Sequence, residues 1–127
     1  MFEPQPESVA EIRSYARSVT RGLEPQVQDD VVLMVSELAT NALLYSRGQI
    51  GVEIDCDDGG VRVSVTDSGS SGSGEPQLQP ADLLRPYGRG LRIVDELADD
   101  WGSSRSTEGR TVVWFHVDLE HRRNVLH

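Results

Sequence analysis

The sequence lacks lysine: all twelve of its basic residues are arginine. Without lysine the chain cannot form a P-loop, whose lysine contacts the nucleotide phosphates, and it cannot form a Schiff base. The single cysteine, Cys56, excludes an internal disulfide and offers no cysteine cluster for zinc. The sequence therefore excludes a P-loop, an internal disulfide and a cysteine-based zinc site.

Long apolar runs are also missing, the longest being VVLMV at 31–35. That run is far shorter than a membrane span. The N-terminal residues MFEPQPESV are acidic and carry prolines, without the basic region and apolar core of a secretory signal. We therefore expect a cytoplasmic protein.

Positive charge is scarce relative to negative charge, with a net charge of −9 and a pI near 4.7. Binding to nucleic acid or to anionic membranes depends on basic patches, so the composition disfavours both partners. At 127 residues the chain has the length of one domain, and its apolar residues cluster in periodic segments. We predict a single folded domain over 1–127, with a polar, flexible tail at about 120–127.

The central segment is 30–46, DVVLMVSELATNALLYS, whose apolar residues recur at steps of three and four. This spacing predicts an amphipathic helix. Glu37 and Asn41 are four residues apart, so both side chains project from the same face of that helix. An amide oxygen suits Mg²⁺ and a carboxylate can accept a proton, although such a pair is also typical of a solvated helix face.

Three further features are predicted around this helix. A helix over 9–23 carries a row of three arginines, which is either a solvated face or a docking surface for an acidic partner. Asp29 or Asp30 can cap the central helix. Two strands joined by an Asp/Gly turn form an antiparallel hairpin, and a later strand that is apolar on both faces lies inside the sheet. The arginines are Arg13, Arg17 and Arg21, the hairpin strands are 50–55 and 61–67, and the last two strands are 101–107 and 111–119.

The segment 68–87 is rich in Gly, Ser and Pro and has no periodicity. A connection of this length is typical of a functional lid or of a disordered insertion. The motif Gly88-Arg89-Gly90 then opens a predicted helix over 91–99. Glycines at a helix start let the backbone approach a ligand, and the free N–H groups favour an anion.

Four short motifs occur in one order along the chain: SELATNA (36–42), DSG (67–69), GRGL (88–91) and GRTVVWF (109–115). In this order and spacing they resemble the ATP-binding domain of the GHKL superfamily, which includes gyrase, histidine kinases and MutL. The sequence is most similar to the stand-alone anti-sigma-factor serine/threonine kinases. The resemblance extends over roughly 7–119. It implies a two-layer α/β (α+β) sandwich, with a mixed, largely antiparallel sheet and helices on one face.

The resemblance also implies a role for individual residues. Asp67 would accept a hydrogen bond from the adenine amino group, supported by Thr111, and Gly69 would let the backbone pass the base. Asn41 would hold Mg²⁺, and Glu37 would be the general base that activates a hydroxyl or a water. The phosphates of ATP would lie against the amides around Gly88, Gly90 and Leu91, with Arg89 adding charge.

Two positions depart from the family's pattern. Tyr45 stands where the family's helix commonly has histidine, and Ser71 stands where a second glycine is common. Tyrosine cannot supply the proton chemistry of histidine at neutral pH, so two functions stay open. One is a kinase that phosphorylates a small antagonist protein and sequesters a sigma factor. The other is a nucleotide-gated binding module with little catalysis. The family suggests a homodimer, and Arg13 and Arg17 are the candidate partner-binding residues.

Overall fold

The computed structural model describes residues 2–3, 5–45, 48–67, 86–106 and 110–119. Within these ranges the chain forms three helices and four strands. They follow in the order α1 (Pro6–Val19), α2 (Pro25–Tyr45), β1 (Ile50–Cys56), β2 (Gly60–Asp67), α3 (Pro86–Leu97), β3 (Asp100–Arg105) and β4 (Thr111–Asp118). The predicted tail, and the predicted lid up to residue 85, lie outside the described residues.

The four strands form one sheet in the order β1-β2-β4-β3, and each neighbouring pair is antiparallel. The hairpin β1–β2 is confirmed, and β4 lies between β2 and β3, as its apolar faces predict. Phe2 adds an antiparallel bridge to Ile50 at the start of β1, with both N–H···O distances at 2.7 Å.

The helices cover one face of this sheet. Ile54, Val63 and Phe115 lie side by side in the register, and all three are buried. Helix α2 packs between α1 and α3 and contacts β1 and β2. On the opposite face the Arg62 guanidinium lies 4.8 Å from the centre of the Trp114 ring. The predicted two-layer α+β architecture is therefore confirmed.

The helix starts differ from the predictions in one consistent way. Each helix begins at a proline, several residues before its predicted first residue. Proline suits the first turn of a helix because its φ is already helical and its missing N–H would have no partner there. The observed starts are Pro6, Pro25 and Pro86, against predicted starts at Val9, Asp30 and Leu91.

Helix α1 ends earlier than predicted, at Val19 and not at Leu23. The Thr20 N–H and hydroxyl both donate to the Ala16 carbonyl, which closes the helix. Gly22 then takes φ of 99°, a left-handed conformation that favours glycine. The predicted caps of α2 are wrong, since both aspartates lie inside the helix: Asp30 accepts a hydrogen bond from Gln26, and Asp29 pairs with Arg17.

Candidate functional site

Helix α2 carries the two polar residues that the sequence singled out. The Asn41 side chain is buried, with 8% of its surface exposed, while Glu37, one turn earlier, is half-buried. Among the described residues, neither side chain has a hydrogen bond or an ion pair. A buried carboxamide without a partner costs free energy unless a ligand or a water satisfies it. Asn41 therefore has the environment of a ligand-binding group.

Helix α3 approaches this pair at Gly90. A Cβ atom built on Gly90 would lie 2.7 Å from Asn41 Nδ2 and 3.3 Å from Glu37 Cβ. No side chain fits there without displacing the carboxamide. The absence of a side chain at Gly90 thus lets the second turn of α3 pack directly against the Asn41 carboxamide.

The predicted phosphate cradle takes a different form in the structure. Because α3 begins at Pro86, Gly90 and Leu91 lie in its second turn, where an amide donates to the carbonyl four residues before it. The donors that a helix leaves free are in its first turn, which here contains Gly88. The predicted helix start, and with it the free amides at Gly90 and Leu91, is therefore wrong for this conformation. The Arg89 side chain lies outside the described part of the structure.

The ends of β2 and β4 supply the other wall of the site. Asp67 is the last residue of β2 and Thr111 the first of β4, and the two are register partners. Both are half-buried. The antiparallel register therefore brings together two residues that are far apart in the sequence, as their predicted shared role requires.

These elements line an open cleft between the helices and the sheet. Its polar groups come from α2, β2 and β4, and the rest of the lining is apolar, as is typical of a small-molecule site. Four predicted site residues are among those that line it. The lining residues are Leu38, Asn41, Ala42, Val65, Asp67, Leu91, Thr111 and Val113.

Sequence reasoning missed the apolar half of this lining. Leu38 is three residues before Asn41, and Val65 and Val113 are each two residues from a predicted site residue. Helix and strand periodicity places each of them on the same face as that neighbour. The spacing of these apolar residues from Asn41, Asp67 and Thr111 could therefore have predicted them from the sequence. Leu91 also lines the cleft, although only its amide was predicted to take part in the site.

Other predicted site residues do not line the cleft. Glu37 lies at its margin, beside Gly90. Arg13 and Arg17 lie along the contact between α1 and α2, where Arg13 Nε donates to Ser36 Oγ at 3.1 Å and Arg17 lies 3.6 Å from Asp29. Gly69, Ser71 and the Tyr45 side chain fall outside the described residues.

Cys56 is at the opposite end of the sheet. It pairs with Val61 at the end of β1 that is far from Asp67. Burial raises the pKa of its thiol, and the neighbouring carboxylates of Asp57 and Asp58 raise it further. A thiol of raised pKa is a weak nucleophile at neutral pH, so Cys56 is not a candidate catalytic group.

The site offers few donor groups for a metal ion. The described residues contain no group of three or more His, Cys, Asp or Glu that could hold a metal ion. Mg²⁺ is commonly held by one or two protein oxygens, with the substrate's phosphates supplying other ligands. The unpartnered Asn41 carboxamide fits that role.

In the described part of the chain, no helix is long and apolar enough to cross a membrane.

Comparisons with known proteins agree with this geometry. The sequence matches the family model of the histidine kinase-like ATPase domain over residues 2–117. No curated protein matches the sequence significantly. Among the solved structures that share the fold are two of the blue-light activated histidine kinase of Erythrobacter litoralis EL346.

The histidine kinase domain of that protein is 22% identical, with a TM-score of 0.61, and the match covers 94% of this chain and 63% of that one. The longer chain is also 22% identical, with a TM-score of 0.65, and coverages of 93% and 42%. This chain therefore spans less than two thirds of either neighbour. Because the family model matches most of its length, the chain belongs to the histidine kinase-like ATPase domain family.

Proposed function

We propose that the domain binds ATP with Mg²⁺ in the cleft and transfers the γ-phosphoryl group to a serine or threonine of a small antagonist protein. We also propose that it sequesters a sigma factor. Family membership implies ATP as the nucleotide. The serine/threonine specificity and both partners are proposed from the resemblance of the four sequence motifs to the anti-sigma-factor kinases. The observation that carries the proposal is the buried Asn41 at one cleft with Asp67 and Thr111, with Glu37 one helical turn before it. Neither Asn41 nor Glu37 has a side-chain partner among the described residues.

Each residue has a proposed task in this reaction. Asp67 and Thr111 would bind the adenine edge, and the apolar lining would contact the base. The Asn41 oxygen would hold Mg²⁺, which supplies charge neutralisation at the phosphates when it is bound. Gly88 in the first turn of α3 would offer its amide to a phosphate oxygen.

Glu37 is the proposed general base. Its carboxylate would take the proton of the acceptor hydroxyl as the hydroxyl oxygen attacks the γ-phosphorus. The bond to the bridging oxygen breaks and ADP leaves. Catalysis of this kind depends on positioning and electrostatics, which a half-buried carboxylate at the cleft margin can provide.

A second function is favoured by one observation. The amides of Gly90 and Leu91 are engaged within α3 and are not available to phosphates in this conformation. A module that binds ATP to order its partner surface, with little catalysis, needs fewer phosphate contacts than a kinase. Tyr45, at the position where the family commonly has histidine, supports the same alternative.

Calorimetric titration of ATP and Mg²⁺ into the wild type, Asn41→Ala and Glu37→Ala tests the site. We expect binding to the wild type, roughly ten- to a hundredfold weaker binding to Asn41→Ala, and little change for Glu37→Ala. Phosphorylation of serine-containing acceptors, abolished in Glu37→Ala, would support the kinase. Binding without transfer would support the module. No binding at millimolar nucleotide would reject both.

A further inference from the structure

Helix α2 presents a stripe of two exposed and two half-buried residues, none of which lines the cleft. The stripe consists of Leu33, Glu37, Thr40 and Leu44, which recur at steps of four, three and four and therefore share one side of the helix. Leu33 is 42% exposed and Leu44 is 63% exposed. Among the described residues, the only other large hydrophobic side chain with such exposure is Tyr15, which is on α1.

The proposed general base lies between the two leucines. At a rise of 1.5 Å per residue, Glu37 is about 6 Å along the helix from Leu33 and about 10 Å from Leu44. A general base must come within about 3 Å of the proton that it takes. An extended polypeptide that runs along α2 with its hydroxyl at Glu37 therefore places its neighbouring residues over the leucines.

On the side of the stripe that faces α1, two arginines lie beside one aspartate, so the local charge is net positive. Arg13 and Arg17 of α1 are held against α2 by Ser36 and Asp29, which lie beside the Leu33 half of the stripe. Both arginines are exposed, on a chain whose net charge is −9. This local positive border complements acidic side chains next to the acceptor.

We propose that the stripe from Leu33 to Leu44 is the docking surface for the phosphoacceptor. The acceptor would be a protein segment with a serine or threonine between two apolar residues and acidic residues at its Leu33 end. This inference rests on the proposed kinase function, since it takes Glu37 as the base.

The geometry sets the spacing of the segment. An extended chain advances about 3.3 Å per residue, so 6 and 10 Å correspond to about two and three residues. We expect apolar residues about two positions from the hydroxyl on one side and three on the other. The direction of the segment along α2 is left to the experiment.

The test uses the full chain and short synthetic peptides with one serine. One set places leucine at the expected positions in both directions, and a matched set has alanine there. Each set is made with acidic or with glutamine flanks. Phosphorylation is measured with ATP and Mg²⁺, and peptide binding is measured separately by fluorescence anisotropy. The protein variants are Leu33→Gln and Leu44→Gln, with Tyr15→Gln on α1 as the matched control.

We expect the leucine peptides to have a KM roughly tenfold lower than the alanine peptides. Leu33→Gln and Leu44→Gln should remove that difference with ATP affinity unchanged, and Tyr15→Gln should retain it. If phosphoryl transfer does not depend on the leucines of either the peptide or the protein, the docking surface is rejected and the kinase function is retained. Leucine-dependent binding without transfer would reject the kinase and keep the surface. If neither leucine-dependent binding nor phosphoryl transfer is observed, the docking surface and the kinase function are both rejected.

Two other occupants of the stripe predict different results. If residues 68–85 of the same chain cover it, the leucine variants will change the affinity for ATP. If a second copy covers it, those variants will change the sedimentation of the protein. Either result, without leucine selectivity towards peptides, would overturn the proposal.

Discussion

Gly90 lies where α3 packs against Asn41 and Glu37 of α2. Replacing it with alanine would put a methyl group 2.7 Å from Asn41 Nδ2, too close for the carboxamide to stay in place. The carboxamide is the end of a side chain and can move, so the fold should survive. Alanine also favours a helix interior by about 1 kcal/mol over glycine. We therefore expect Gly90→Ala to weaken Mg²⁺-ATP binding roughly ten- to a hundredfold while thermal stability is equal or higher.

A double-mutant cycle with Asn41→Ala shows whether Gly90 acts through that carboxamide. If it does, the two substitutions together should cost no more binding than Asn41→Ala alone. Arg92→Ala, an exposed change in the same helix, is the control for helix stability. A Gly90→Ala protein that melts earlier yet binds ATP normally would mean that the glycine serves packing alone.

At the scale of elements, the contact between α1 and α2 joins structure to the proposed partner surface. The Arg13 side chain donates a hydrogen bond to Ser36, and the Arg17 side chain pairs with Asp29; both arginines are exposed. An exposed ion pair contributes about 0–1 kcal/mol and one hydrogen bond about 1 kcal/mol, so replacing both side chains should cost little stability.

We expect the double change Arg13→Glu with Arg17→Glu to weaken the binding of acidic serine peptides and to leave ATP binding unchanged. The reason is that it reverses the charge of the border while the cleft stays intact. Anisotropy and calorimetry measure the two effects. Arg21→Glu, beyond the end of α1, is the control for added negative charge. Equal loss of both ligands would show that the arginines are structural.

Helix starts show how far local sequence patterns predict an element. The apolar periodicity of each helix was correctly read, and all three helices exist. Their starts were predicted too late because each was placed where the apolar periodicity begins, which left the preceding proline outside the helix. Proline breaks a helix only in its interior, where it removes a hydrogen bond and clashes with the preceding turn. The late predicted start of α3 also affected the predicted phosphate site. It implied free amides at Gly90 and Leu91, whereas in the structure these amides lie inside the helix.

At the scale of the whole molecule, the cleft is formed by elements from both halves of the chain. A ligand that binds there and not to the unfolded chain stabilises the fold by mass action. At a hundredfold excess over Kd, Mg²⁺-ATP should add about 2.7 kcal/mol to the free energy of unfolding. For a domain of this size we expect Tm to rise by several degrees, as measured by calorimetry or circular dichroism.

Asn41→Ala should lose most of this rise in Tm at the same ATP concentration, while its Tm without nucleotide stays close to that of the wild type. Glu37→Ala should keep the rise, because the proposed base acts on the acceptor and not on ATP. An equal rise in all three proteins would place nucleotide binding elsewhere on the chain.

The sequence by itself determined the helices, the strands, the β1–β2 hairpin and the shared face of Glu37 and Asn41. All of these follow from residues within a few positions of one another, where helix and strand periodicity is decisive. The resemblance of four motifs added the fold family, which the match over residues 2–117 confirms.

Only the tertiary structure decided how the pieces meet. The register of β2 and β4 places Asp67 opposite Thr111, and the packing of α3 on α2 places Gly90 against Asn41. These pairs are separated by more than forty residues, and local patterns carry no information about such contacts. Burial of the shared core aligns the elements, and it leaves Leu33 and Leu44 exposed on the outer side of α2. Packing over long sequence separations, rather than local propensity, therefore formed the cleft and the surface beside it.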